Sequence, residues 1–354
     1  MFVVSYPGRA CRRFGAAALL TALLSAGAHA GDNALFASNE PLVLRLEAPF
    51  GALKSTKSKA QPEYMDGTLK LQEGGVEKAF DVRLRLRGHS RKELCDFPPL
   101  LLNFKTSDLK GSVLEGENKL KLVTHCKPTA AYDQYLLLEY LSYRALNLLT
   151  DMSLRARLLT VTYYDTERKR QLDVQPGMFI ENEDRFAERK GLTEAELKRI
   201  EPNQYDRDAL GLVNMFEYFI GNTDWSAVLG SQGSPCCHNI VPYQRPDGVL
   251  LPVPYDFDSS GMVNTPYALP NERLKINSVR QRLYRGSFCE SLADFEPRFA
   301  KFDAVKPQLL ELFSMSSGLD KRNAASATAY IDEFFETRSD PKKVERAFRA
   351  GCKN

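Results

Sequence analysis

The sequence predicts an α+β fold in two lobes, a β-rich one followed by a mostly helical one. Short runs alternating apolar and polar residues crowd the first third of the chain, and apolar residues at helical spacing dominate the last third. The chain also exceeds the usual single-domain size: of 354 residues, about 320 remain once the first 30 are set aside. Residues 31–175 are assigned to the β-rich lobe, with one buried helix, and residues 176–354 to the mainly helical lobe.

The first 30 residues read as a signal peptide. Arg9, Arg12 and Arg13 precede an apolar run over 14–24, and Ala28-His29-Ala30 before Gly31 is the small-x-small pattern that a signal peptidase cleaves. The run is too short to span a bilayer. A secreted or periplasmic protein is expected, cleaved after about Ala30 and without stable membrane insertion. Cys11 would leave with that segment; Cys95, Cys126, Cys236, Cys237, Cys289 and Cys352 remain, an even set without C-x-x-C pairs, so disulfides are favoured over structural zinc. Cys95 with Cys126 is the preferred local bridge, which leaves Cys236 and Cys237 to reach Cys289 and Cys352.

The elements follow in order. Alternating runs at 41–47, 68–71 and 80–87 read as strands with one wet face, the last setting Val82, Leu84 and Leu86 against Arg83, Arg85 and Arg87. Residues 100–104 and 119–123 continue the sheet. Residues 132–149 are apolar at helical spacing on more than one side, so a well-buried helix is expected. Strands resume at 158–164 and 177–181, and the charged stretch 184–199 reads as an exposed helix. A compact apolar helix spans 210–220 and stops at Gly221. Residues 248–255 form an apolar strand whose Pro252 and Pro254 confine it to an edge or an irregular course. Helices close the chain at 295–313, where Pro297 and Pro307 mark boundaries or kinks, and at 320–337.

Composition narrows the function classes. The formal net charge is +3 and 26% of residues are charged, which argues against a nucleic-acid partner despite the local group Arg83, Arg85, Arg87, Arg91 and Lys92. G-x-S-x-G and H-E-x-x-H are both missing, so serine-hydrolase and zincin readings lack their local marks. His125 and His238 each neighbour a cysteine, a weak zinc signal without C-x-x-C support.

Three polar segments stand out, each at the end of an element: Asn222-Thr223-Asp224-Trp225, then Cys236-Cys237-His238-Asn239, then Tyr255-Asp256-Phe257-Asp258. Asp256 and Asp258 follow a strand two residues apart and can reach one hard cation if the backbone bends at Phe257. Magnesium or manganese takes such oxygen ligands and keeps waters for phosphate oxygens. With the amide of Asn239 and a separate carboxylate at Asp224 to orient a hydroxyl, these are the parts of phosphoryl transfer. Lys105, Lys119 and Lys121 are the candidates for a phosphate-binding lysine. Glu139, alone among leucines, needs a cation to be buried cheaply.

At these residues the chain resembles the CotH-like atypical kinases, a family named for a bacterial spore-coat protein, over most of its length. Arg87-Gly88-His89-Ser90-Arg91 is similar to that family's R-G-x-S glycine loop, 97–105 to its lysine-bearing strand, and Gly177-Met178-Phe179-Ile180-Glu181 to its G-x-Y-x-x-E segment. Asn222-Thr223-Asp224, Asn239 and Asp256-Phe257-Asp258 complete the likeness. The resemblance implies a protein-kinase-like (atypical) two-lobe fold with ATP as nucleotide. It makes Asp224 the catalytic aspartate, and Asn239 and Asp256, assisted by Asp258, ligands of Mg2+ or Mn2+. Lys105 fits the family's lysine best, with Glu139 as its partner, while Arg87, Gly88, Ser90, Arg91, Lys121 and Glu181 surround the nucleotide. The chain departs from the pattern in His89 and in the long insertion between Asp224 and Asn239, which must loop out and return.

The expectation is therefore an ATP-dependent, metal-assisted phosphotransferase acting on Ser or Thr of an exported protein. Some kinase-fold relatives move AMP instead, so the transferred group stays open. The alternative is a non-catalytic envelope or coat assembly protein that uses the acidic loops to bind metal or a partner.

Overall fold

The computed structural model describes residues 34–231, 234–349 and 351–352. The expected signal peptide and its cleavage point at Ala30 lie outside the described residues. The described residues form one compact unit.

Its first half is a barrel. Strands β1 (Leu42–Ala48), β2 (Met65–Glu73), β3 (Val76–Leu86), β4 (Leu100–Phe104), β5 (Lys119–Val123), β6 (Ala156–Asp165) and β7 (Arg170–Ile180) close in the order β1-β2-β3-β4-β5-β7-β6. Neighbours pair antiparallel except at the seam, where β1 runs parallel to β6 with Leu44 opposite Val161. Two short helices, α1 (Phe50–Ser55) and α2 (Ser90–Leu94), lie in the connections. Alternation sends Leu44, Leu46, Leu69, Leu71, Val82, Leu84, Leu102 and Leu122 inward to fill the barrel. The same period turns Arg83 and Arg85 outward, where both guanidinium groups stack on Tyr64 at 5.0 and 4.8 Å. Gly67 is required where β2 passes β1, because a Cβ there would sit 2.5 Å from the Glu47 carbonyl oxygen.

The helix α3 (Ala130–Leu149) follows the barrel's fifth strand, and the second half contributes α4 (Glu183–Lys190), α5 (Arg207–Ile220), α6 (Glu296–Ser314), α7 (Lys321–Ser339) and α8 (Pro341–Val344). Three strands, β8 (Thr193–Glu194), β9 (Ile240–Gln244) and β10 (Leu250–Pro254), form a small sheet in the order β10-β9-β8. β10 is an edge strand, as its prolines require, with Pro252 opposite Pro242. The main helical core joins Leu141, Phe216, Phe219, Phe299 and Phe334 with Met178 and Ile180 of β7.

This architecture corrects the expected fold class. A closed seven-stranded mixed barrel with packed helices is not the two-lobe, protein-kinase-like arrangement of a β-rich lobe and a helical one. β7 crosses the boundary expected at residue 175, and its last residues belong to the helical core as well as to the barrel wall. The physical reason is the seam: β1 pairs with β6 across more than a hundred residues, a contact that local periodicity does not encode. The exposed helix expected over 184–199 is also shorter. It ends at Lys190 because Gly191 takes a left-handed conformation, φ +63°, and the chain then turns into β8.

Three disulfides are formed among the described residues: Cys95–Cys126, Cys236–Cys237 and Cys289–Cys352. The first is the expected local bridge. The vicinal pair closes on itself rather than reaching Cys289 and Cys352, because Cys289, in the segment ahead of α6, is bridged to Cys352 beyond α8. Three disulfides suit an oxidising, extracellular location. Among the described residues no helix is long and apolar enough to cross a membrane.

Candidate functional site

Helix α5 aims the first segment of the site. Asp206 caps its start, accepting from the amides of Asp208 and Ala209, and Gly221 ends it at φ +67°. A Cβ at 221 would collide with the Tyr330 hydroxyl, so this turn needs glycine. The next residues are clamped. Asn222 accepts from the Asp224 amide at 2.9 Å and from the Trp225 indole at 3.1 Å, and Arg285 donates to the carbonyls of Thr223 and Trp225 at 2.7 and 2.8 Å. Asp224 therefore projects, half exposed, from a fixed loop.

The insertion after Asp224 folds back. Ser226 and His238 exchange backbone hydrogen bonds at 2.9 and 3.1 Å, which brings the segment after the vicinal disulfide alongside the loop. His238 Nε2 then lies 2.8 Å from Asp224 Oδ1, and Asn239 Nδ2 donates to the Asp224 carbonyl at 2.6 Å and to Oδ2 at 3.3 Å. The hydrogen bond to Asp224 raises the His238 pKa above the ordinary histidine value, against the opposing effect of burial.

Strand β10 delivers the third segment. Phe257 is fully buried against Tyr143 and Phe216, with ring centroids at 4.6 and 5.4 Å, a burial that contributes roughly 1.5–3 kcal/mol. With Phe257 anchored inward, Asp256 and Asp258 face the cavity. The Asp256 amide donates to the Tyr143 hydroxyl at 2.9 Å. Asn239 and Asp256 both hold left-handed backbones, φ +53° and +62°, which non-glycine residues adopt at a cost.

Arg91, at the start of α2, gathers three carboxylates. It is bidentate to Glu139, at 2.9 and 3.2 Å, reaches Asp258 from Nε at 3.1 Å, and touches Asp256 Oδ1 through Nη2. Burial opposes its charge, but Asp258, Glu139 and Asp256 outweigh that and raise its pKa. Burial pushes the Glu139 carboxyl up to about 7, with Arg91 acting against the shift. Burial also raises Asp258, which accepts from the Tyr267 hydroxyl at 3.0 Å. Lys121 is pushed down to about 7 by burial and by Arg87, with Asp256, Glu194 and Asp184 acting against the shift, and it contacts the Glu183 carboxylate.

These groups share one cavity of about 660 Å³, lined among others by Arg87, Gly88, Ser90, Arg91, Lys121, Asp224, His238, Asn239, Asp256 and Asp258. Three expected residues stand elsewhere. Lys105 is 79% exposed at the end of β4 and faces Asp108 at 3.7 Å, so Lys121 is the lysine of the cavity. Glu139 pairs with Arg91 and not with a lysine. Glu181 is buried in a bidentate pair with Arg189, at 2.8 and 2.9 Å, and accepts from the Arg155 amide at 3.0 Å. Sequence reasoning missed Ser231 and His238 as members of the site; the adjacency of His238 to Asn239 was the available signal.

The donor set suits a small hard cation. Asp256 and Asp258 offer carboxylates on one wall, and the Asn239 amide turns its nitrogen to Asp224, which leaves its oxygen for a cation. Among the described residues no group of three or more His, Cys, Asp or Glu side chains is arranged to hold a metal. Both carboxylates are ion-paired to Arg91. The chain matches no protein-family model and no curated protein.

Proposed function

We propose that the chain is a metal-assisted phosphotransferase that moves the terminal phosphoryl group of ATP to a Ser or Thr hydroxyl of an exported protein. The observation that carries this reading is convergence: Arg87, Arg91, Lys121, Asp224, Asn239, Asp256 and Asp258, drawn from segments up to 171 positions apart, line one cavity. Cationic side chains and hard oxygen donors of that kind suit a triphosphate and its counter-ion.

In this reading Arg87 and Lys121 bind the phosphates, with Arg91 joining them, and the fixed loop of Asn222 and Arg285 presents Asp224 to the acceptor hydroxyl. Asp224 orients that hydroxyl and accepts its proton, sharing the charge with His238 at 2.8 Å. Asn239, Asp256 and Asp258 would hold the divalent ion, which neutralises charge developing on the transferred group. Three disulfides and the signal-like start support export through a periplasmic or secretory route, where the acceptor would be met.

The test is incubation of the purified protein with γ-labelled ATP, manganese and candidate acceptor proteins. Label transfer is expected, falling by on the order of 100-fold or more in Asp224→Ala and Asp256→Ala. Nucleotide binding and transfer that are indifferent to both substitutions would sink the reading. Phosphate released into water with no protein labelled would recast the site as a phosphohydrolase.

A further inference from the structure

Building on the phosphotransferase reading, we propose that Ser231 is the chain's own phosphoryl acceptor. Ser231 Oγ lies 2.8 Å from His238 Nδ1, and His238 Nε2 lies 2.8 Å from Asp224 Oδ1. The carboxylate accepts from Nε2–H and so selects the tautomer whose Nδ1 lone pair receives the serine hydroxyl. This is the order a nucleophilic hydroxyl needs: a base within hydrogen-bond reach, itself oriented by a third group.

The orientation is set by the scaffold. His238 is pinned by its backbone pairing with Ser226, and Asp224 by the Asn222 and Arg285 clamp. Ser231 also lines the cavity that Arg87, Arg91 and Lys121 line, so the hydroxyl and the phosphate-binding cations share one space. Ser259, another serine of that wall, donates instead to Asp258, whose carboxylate Arg91 already holds.

In the step, Ser231 Oγ forms a bond to the terminal phosphorus of the bound nucleoside triphosphate. The bond from that phosphorus to the oxygen bridging the next phosphate breaks, and the nucleoside diphosphate departs with the electron pair. The hydroxyl proton passes to His238 Nδ1, and the resulting imidazolium is held by Asp224.

The experiment uses the purified protein with γ-labelled ATP and manganese, without added acceptor, followed by phosphopeptide mapping. Label is expected on the peptide carrying Ser231, absent in Ser231→Ala, transferred to threonine in Ser231→Thr, and slowed by on the order of 100-fold in His238→Ala. Label on Ser234 or another residue overturns the assignment. So does release of diphosphate with no residue labelled, which recasts the site as a phosphohydrolase; in a parallel reaction with an added acceptor protein, transfer to that protein with Ser231 unlabelled overturns the assignment and leaves the phosphotransferase reading standing. Absence of any nucleotide binding overturns both.

Discussion

Arg91 and Glu139 form a bidentate ion pair, 2.9 and 3.2 Å, between the start of α2 and the middle of α3, with both side chains nearly closed to solvent. The pair ties the segment after β3 to the helix behind the cavity, and through Asp256 and Asp258 to the segment after β10. Removing one partner of a buried pair leaves an uncompensated charge, which costs about 3–5 kcal/mol. Arg91→Ala should lose that much in urea unfolding. Arg91→Leu with Glu139→Leu should recover part of it, because Glu139 is then no longer a buried charge without its cation, whereas Asp258 still is. A loss below about 1 kcal/mol in Arg91→Ala would show that water enters and replaces the pair.

Lys121 and Lys105 separate a site lysine from a surface one. A charge-assisted hydrogen bond to phosphate contributes about 1.5–3 kcal/mol, so Lys121→Ala should weaken ATP binding roughly 10- to 100-fold. Lys105, exposed beside Asp108, should be replaceable by alanine with no change in affinity. Isothermal titration of the two variants decides the matter, and the reverse ranking would move the phosphates to the far end of β4.

Glu217 gives a pH dependence. It is fully buried in the last turn of α5, and burial raises its carboxyl from 4.5 to about 8, opposed by the Asn222 amide and Arg285. Between those values the folded chain keeps a proton that the unfolded chain releases. The stability linked to this group is therefore complete below about 4.5 and lost as pH rises through about 8, at up to about 1.4 kcal/mol per unit. Urea midpoints of Glu217→Gln should fall less steeply than those of the native chain from pH 5 to pH 8. Parallel slopes would mean that Glu217 is ionised in the fold.

The disulfides should differ in weight. Cys289–Cys352 closes a span of 63 residues, for which chain entropy predicts about 4 kcal/mol, whereas Cys236–Cys237 joins neighbours and restricts the unfolded chain little. Replacing Cys289 and Cys352 by serine should lower the melting temperature far more than replacing Cys236 and Cys237. The vicinal replacement should act instead on the site, through the segment that carries His238 and Asn239. Equal thermal shifts would count against this division.

Much of the chain was legible from its sequence. Residues 100–104 and 119–123 alternate as strands and are strands; the helix read at 132–149 is α3 to within two residues; Gly221 stops α5 where glycine was expected to. Asp224, Asn239, Asp256 and Asp258 were legible as candidates because each stands at an element's end, where a rigid scaffold can present a polar side chain to a cavity. These signals are local, since side-chain period and turn chemistry act over a few residues. Tertiary structure alone decided what depends on distant partners. The parallel pairing of β1 with β6 closes the barrel and removes the expected lobes. Burial selects Lys121 over Lys105, and Arg91 rather than a lysine compensates Glu139. The fold-back that sets Ser231, His238 and Asp224 in line joins residues whose spacing carries no period, so only the folded chain brings them together.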